Sequence, residues 1–382
     1  MSEVNLSYWD SRHVSMTMDV IIVGAGITGL SCALRINQLR PDLRIRIIDK
    51  HHLTRVASTR NAGFVCFGSL TEIQDDIEQY GSDVAYDLVE RRFKGIQLVK
   101  KTFPHALIDY HHTGGFELLD SDQWKGSELR DQMDAINNDL LPIIGQEVFS
   151  LVSKHDHESP FNKKMQLIKN PHEGQLNPSL FVRQLAMKLP STHTEILAGV
   201  EFVSHHVEHD HLRLKTSWGT MKARQVILAT NGLTDALGLM HDEIKPARNL
   251  VMVSEKMDLG FKGVYHAEKG YIYFRNIGDR LLIGGGRHWD KNAEYVLDLG
   301  ENAMIKSKLK DYVKETIFPG GPVVDFSYQW SGIMGMTQNK APIIRKLEDR
   351  LFLVAGFGGM GVALGMHSGF RIAEMACKEN FN

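Results

Sequence analysis

The sequence predicts an α/β fold (α+β overall), in which a Rossmann-like unit is interleaved with a smaller antiparallel-sheet domain. Three observations predict it. A strand, a glycine turn, a helix and a second strand follow one another in Met18–Lys50, MDVIIVGAGITGLSCALRINQLRPDLRIRIIDK. A second strand–glycine turn–helix stands near the end of the chain, at 351–362. Between them, apolar alternation returns over 250–285, in LVMVSE, GYIYFRN and RLLIGGG, as antiparallel sheet requires.

Each part of the first unit has a physical task. Val20–Val23 reads as a buried strand running into the fingerprint Gly24-Ala25-Gly26-Ile27-Thr28-Gly29. Gly24 permits the tight turn, Gly26 lets the backbone approach a pyrophosphate, and Gly29 allows close helix–strand packing. Ile27 and Thr28 open a helix whose free N–H groups and dipole favour phosphate. Asp49 ends the next strand about twenty positions after Gly29, placed for ribose hydroxyls, with Lys50 beside it. The whole unit implies a dinucleotide.

Three features select FAD over NAD. The unit lies at the N-terminus of a long chain. No second GxGxxG follows a strand elsewhere. The glycine cluster containing Gly356, Gly358, Gly359, Met360, Gly361 and Val362 also follows a strand and opens a helix. Bare backbone at a helix N-terminus suits a carbonyl-bearing ring that gains negative charge on reduction.

At 382 residues the chain exceeds one ordinary core, so two lobes are expected. A formal net charge of -2 gives no reason to expect nucleic acid or an anionic membrane as partner. Cys32, Cys66 and Cys377 are too few and odd in number for a disulfide framework, and fit a reducing compartment. Residues 1–18 lack the apolar core of a signal peptide, and no apolar run approaches the ~20 residues of a membrane span. A cytoplasmic enzyme is expected.

Along the chain, residues 1–17 read as an irregular lead-in, and a loop of small residues and turn formers follows Asp49. Apolar spacing at Val84, Leu88, Phe93, Leu98 and Val99 predicts helix over 72–101. Strands are expected at 108–110 and 115–119, a polar helix over 122–140, and strands at 165–169 and across 195–230. One of these, Ala223–Ala229, runs into Thr230-Asn231-Gly232. A long helix is expected over 291–317. The dinucleotide domain is assigned 1–95, 172–244 and 335–382, and the substrate domain 96–171 and 245–334. The histidine-rich run His205–His211 reads as an exposed hairpin turn. Alternation there sends neighbouring side chains to opposite faces, so no metal is expected.

Taken together, these segments resemble the D-amino-acid oxidase (DAO) superfamily of FAD-dependent oxidoreductases, within it most nearly the γ-glutamylputrescine oxidase-like branch. The residues that carry the resemblance are the GAGITGL fingerprint with Asp49, the loop Ala57-Ser58-Thr59-Arg60-Asn61-Ala62-Gly63-Phe64, and Leu228–Gly232. To these are added the hairpin from Tyr273-Phe274-Arg275 to Gly284-Gly285-Gly286, Trp330-Ser331-Gly332, Pro342 and the turn at 356–362.

The resemblance implies extended FAD with its adenosine near Gly24–Gly29 and Asp49. Ser58, Thr59, Arg60, Asn61 and Gly63 would wrap the pyrophosphate and ring. Val200 would meet the adenine through its backbone. Thr230 and Gly232 would end a strand against the cofactor, and the C-terminal turn would donate N–H groups to the pyrimidine edge. The loop has no His, and Trp330–Thr337 no Cys, at the positions where relatives attach flavin, so FAD is expected to be non-covalent. No cation stands next to the C-terminal glycines or the Trp330 element (Lys340 lies just beyond). Glycine, sarcosine and simple D-amino acids are therefore expected to be poor substrates.

The implied reaction is hydride transfer from a carbon next to nitrogen onto flavin, oxidising an amine or amino acid to an imine, with oxygen or a quinone as acceptor. Tyr271, Tyr273 and Arg275 alternate, so they share a sheet face, either toward substrate or as an aromatic–arginine cluster. Arg287 and His288 follow a glycine run, either beside a ligand or as a solvated pair. Cys66 reads as a small buried hydrophobe. Two other functions are weighed: a flavin oxidoreductase component of an RNA-modification pathway, and a flavin-bound protein without turnover.

Overall fold

The structure is a computed structural model. It describes residues 5–52, 57–124, 126–153, 160–240 and 242–379. The hub of the first sheet is the strand Thr17–Val23. It pairs in parallel with Gly219–Leu228 on one side and Ile45–Asp49 on the other. Leu351–Ala355 and Thr194–Ala198 extend the parallel core at either end. Val20, Ile21 and Ile22 are all fully buried, because both faces of the sheet are covered, and such strands read as continuous apolar runs. The helices Ile27–Leu39 and Gly361–Lys378 pack against each other. A Cβ on Gly369 would stand 2.5 Å from the carbonyl oxygen of Thr28, so a glycine there sets how closely they approach. Antiparallel Ile343–Glu348 flanks Leu351–Ala355.

The second sheet has the order 326–336, 245–254, 280–285, 272–277, 264–267, 115–120, 165–170 and 150–151. Its pairs are antiparallel except Val264–Ala267 with Gly115–Asp120. One face buries an aromatic cluster, in which Tyr265 stacks on Phe274 at 4.9 Å beneath Phe161 and Phe261. The other face carries Val251, Val253, Leu282 and Tyr273, which pack on Ala62 and Phe64 of the loop that follows the first unit. A short ladder, Phe64–Val65 with Gly174–Gln175, ties that loop down.

Several elements differ from the sequence reading. The lead-in contains a helix, Tyr8–Val14, whose N-cap Ser7 accepts from the Asp10 amide. The helical pattern at 72–101 is two helices, Leu70–Tyr80 and Ser82–Thr102, broken at Gly81, whose φ of 85° no helix accommodates. Residues 108–110 are not a strand: a 3-10 turn, His105–Leu107, precedes a left-handed Asp109. The helix expected over 291–317 is shorter, Ala303–Tyr312 with a π-turn at Val313–Ile317. The carboxamide of Asn302 caps it by accepting from the Met304 and Ile305 amides. The hairpin expected at the histidine run is present, with His205 and His206 in the strand Phe202–Val207, Glu208–His211 turning into Leu212–Thr216, and His211 paired to Glu208 and Asp210. Among the described residues no helix is long and apolar enough to cross a membrane.

Candidate active site

The fingerprint forms a cradle at the N-terminus of Ile27–Leu39. A Cβ on Gly24 would stand 2.5 Å from the Ala229 carbonyl oxygen, and one on Gly29 would overlap the Gly24 carbonyl. Gly26 ends the turn with no side-chain cap of its own. Instead Ser58, from the distant loop, accepts from the Ile27 amide at 2.9 Å. Asp49 is buried, and its two carboxylate oxygens accept from the Ala25 and His51 amides, each at 2.8 Å. Its carboxylate therefore holds the turn as well as standing where a ribose would lie. Val200 is buried beside it, with its N–H on the Asp49 carbonyl. Lys50 lies 4.0 Å from Glu201. Thr28, at the helix start, is also buried.

The loop 57–64 is pinned from several directions. Asn61 bonds Ser58 and Gly63 through its carboxamide. Arg60 donates to the Ser331 carbonyl at 2.6 Å, and the Trp330 indole donates to the Arg60 carbonyl at 2.9 Å. Thr59 lies in the 3-10 turn Ala57–Thr59. Gly63 has φ 75° and abuts the Leu176 carbonyl. At the far end Thr230 bonds Thr234, and Gly232 packs on the Met334 carbonyl. Asn231 accepts from the amides of Gly356 and Phe357, fixing the C-terminal glycine turn. Gly358 and Gly359 both have positive φ, and the helix Gly361–Lys378 starts at Met360 without a side-chain cap. Two helix starts with bare glycine backbone, the first met by Ser58 and the second without a side-chain cap, fit an extended dinucleotide with an anionic centre and an electron-rich ring.

Between this loop, the glycine turn and the second sheet lies a cavity of about 190 Å³. Arg60, Ala62, Gly359, Met360 and Val362 frame it on the cofactor side. Tyr271, Tyr273, Asn249 and Arg287 face it from the sheet side. Arg287 is 7% exposed, and its Nη1 has no hydrogen-bond partner among the described residues. Its guanidinium lies 5.8 Å from the Tyr271 ring. Asn249 donates to the Tyr273 hydroxyl at 3.1 Å, while its Oδ1 is likewise buried without a partner among the described residues. Burial pushes the Tyr273 phenol up, so it stays neutral.

The structure corrects three expectations about this side. Arg275 shares the Tyr273 face but not the cavity. Its donors go to the Ala62 carbonyl at 2.7 Å, Gln175 at 3.0 Å and the Leu176 carbonyl, so it is a clamp on the loop. Burial pulls its pKa down to about 10. His288 also lies outside the cavity lining: its Nε2 pairs with Glu268 at 2.6 Å and its ring packs on Tyr271. The expected lack of a cation near the glycine turn also does not carry into space. Lys340 lines the cavity, its ammonium on Asp76. Burial works against that charge, but Glu72 and Asp76 outweigh it and raise the pKa.

Glu173 and His266 escape the sequence reading, and Cys66 is read there only as a small buried hydrophobe. Cys66, Glu173 and His266 are all buried, with their polar atoms within 4.8 Å of one another, and Cys66 and His266 line the cavity. The one available signal is the strand pattern around His266, which sets an imidazole on the cavity face.

The family model for FAD-dependent oxidoreductases (DAO) matches residues 19–375. The chain belongs to the DAO family of FAD-dependent oxidoreductases. It is an enzyme class that depends on FAD. Gamma-glutamylputrescine oxidoreductase of Escherichia coli K12 is 24% identical, over 96% of this chain and 85% of the relative. The probable oxidoreductase OrdL of Haemophilus influenzae is 22% identical, over 96% and 86%. Glycine oxidase from Geobacillus kaustophilus shares the fold with TM-score 0.76 and 19% identity, each chain covered to 96%. L-proline dehydrogenase from P. horikoshii follows at 0.74 and 17%, over 95% and 94%.

Proposed function

We propose that this DAO-family enzyme oxidises the C–N bond of an amine or amino acid to an imine, and that Arg287 receives an anionic group of the substrate. The carrying observation is the buried Arg287 Nη1, which has no partner among the described residues, in one cavity with Asn249 Oδ1, which has none among them either. A buried donor and acceptor left open cost free energy until a ligand fills them. A carboxylate on Arg287 and an N–H on Asn249 would fill both. The names of relatives such as gamma-glutamylputrescine oxidoreductase and glycine oxidase support a C–N substrate.

Bound FAD supplies the two-electron acceptor for the hydride. The chain's own groups hold the substrate. Arg287 positions an anionic group, Tyr271 packs against that guanidinium, and Asn249 with Tyr273 orients the nitrogen. The sheet face and the loop exclude water from the reacting carbon. We assign 1–95, 172–244 and 335–382 to the FAD unit and 96–171 with 245–334 to the substrate unit. Oxygen or a quinone is the acceptor, and three free cysteines support a reducing, cytoplasmic setting.

The test is anaerobic mixing of the holoenzyme with γ-glutamylputrescine, glycine, sarcosine, L-proline and iminodiacetate, while the flavin absorbance is followed. At least one carboxylate-bearing amine should bleach it. Arg287→Ala should then lower kcat/KM by ~10-fold or more on that substrate, since ~1.4 kcal/mol corresponds to a decade. No bleaching by any amine, or an unchanged kcat/KM in Arg287→Ala, refutes this reading.

A further inference from the structure

His266 is a buried titratable group on the cavity wall to which the reading above gives no task. It stands in the strand Val264–Ala267, directly opposite Glu117 on one neighbouring strand and Tyr273 on the other. All three side chains therefore share one face of the sheet. Its Nε2 lies 3.2 Å from Glu173 Oε2, and Phe64 packs edge-on at 5.3 Å. Glu173 is itself positioned: its Oε1 accepts from the Phe67 amide, and a Cβ on Gly115 would overlap its Oε2.

The other charged and titratable groups around the imidazole are accounted for. Cys66 approaches from the strand Phe64–Val65 side. Glu117 accepts from Ser69 and Thr71. Glu72 pairs with Arg92. Lys269 and Lys340, which line the same cavity, are paired with Asp75 and Asp76.

We propose that His266 accepts the proton an ammonium substrate must lose before its C–N bond is oxidised, with Glu173 fixing the imidazole for that task. The proposal rests on the C–N reading above. An Nε2–H donated to Glu173 fixes the tautomer and leaves Nδ1 to take a proton. The step balances. One substrate N–H bond breaks, its proton forms the Nδ1–H bond, and the bonding pair stays on nitrogen as the lone pair that later enters the C=N bond. Glu173 then faces an imidazolium, which it stabilises. Burial opposes that charge, but Cys66 and Glu173 outweigh it and hold the His266 pKa well above its ordinary value. A base raised in this way is better matched to an aliphatic ammonium than an ordinary histidine.

Two arms test it, both on the holoenzyme. In the first, a ¹⁵N-histidine-labelled sample is titrated by NMR, with the His266 signals assigned by their loss in His266→Gln. His266 should titrate above neutral pH, and Glu173→Gln should lower that value by roughly one pH unit or more. In the second, anaerobic flavin reduction by the amines named above is measured from pH 6 to 10. The wild-type rate should rise with pH through the His266 titration, and Glu173→Gln should move that rise to lower pH. His266→Gln should lose it and be slower by about 10²–10⁴-fold. FAD content and thermal unfolding of each variant report folding, and His266→Asn replaces His266→Gln if the latter fails to fold. A His266 that titrates at its ordinary value, or a pH profile unchanged in His266→Gln, overturns the assignment. If no amine bleaches the flavin, the C–N reading fails first and this proposal with it. If an amine bleaches the flavin but the pH limb is unmoved, only the role of His266 falls.

Discussion

Replacing Gly26 by valine should abolish tight FAD binding while leaving the fold intact. Gly26 has φ -78° and ψ -177°, a conformation open to any residue, so the cost is one of space and not of backbone strain. A Cβ there would stand 2.8 Å from Ser58 Oγ, the atom that accepts from the Ile27 amide at 2.9 Å. Ser58 must swing away, which loses about 1 kcal/mol of hydrogen bonding. The two methyl groups then fill the mouth of the helix. That removes a charge-assisted phosphate contact of about 1.5–3 kcal/mol and a dipole contribution of about 0.3–1 kcal/mol. The two contributions to binding, roughly 2–4 kcal/mol together, raise Kd by about 10–10³-fold. Fluorescence titration of apoenzyme with FAD measures it, with Gly26→Ala as a milder control. If Gly26→Val binds FAD within about threefold of wild type, at ~1.4 kcal/mol per decade, the cradle has been misassigned.

The remaining predictions concern the loop, the cofactor linkage and pH. Arg275→Ala should lower the melting temperature and loosen FAD, because the Ala62 and Leu176 carbonyls and Gln175 lose their donor; an effect on kcat/KM alone, with stability unchanged, would contradict the clamp. Acid precipitation should release FAD into the supernatant, and flavin retained on the polypeptide would point to attachment, with the cavity residue Cys66 the first place to look. The raised His266 pKa means that the folded protein binds this proton more tightly than the unfolded chain. Its stabilisation is complete below the unfolded value of about 6.5 and is lost as pH rises through the folded value. The melting-temperature gap between wild type and His266→Asn should therefore narrow from pH 6 towards pH 10, and a gap that widens with pH would reverse the sign of the argument.

The dinucleotide unit was legible because its chemistry is local. Gly24, Gly26, Gly29 and Asp49 act within one turn and two adjacent strands, so spacing alone nearly determines their geometry. For Arg287 the glycine run before it left two readings, and its burial on the cavity wall disfavours only that of a solvated pair. Arg275 was misjudged because alternation fixes a face but not a partner: Ala62 and Gln175 come from distant segments. Lys340 was set aside by its distance in sequence from the glycine turn, although its side chain reaches the same cavity. The strand pattern could place His266 on a face, but nothing in the sequence joins it to Glu173, because the two are 93 positions apart and meet only when two sheets close. The helix expected over 291–317 failed at its start, where the Asn302 cap outweighs the weak periodicity before it.

The first sheet draws its parallel strands from opposite ends of the chain, and this bears on the order in which the molecule is made. Thr17–Val23 emerges well before its neighbour Gly219–Leu228, and Leu351–Ala355 with the second glycine turn emerges later still. A nascent chain therefore carries the apolar run Val20–Val23 with an unpaired edge until Gly219–Leu228 has been made, a hazard for aggregation. It also lacks the second glycine turn until Leu351–Ala355 and the helix after it have been made. Loss of even a short stretch from 351 onward would thus remove cofactor retention and sheet closure together, and dissociable halves of this protein are not to be expected from any single cut.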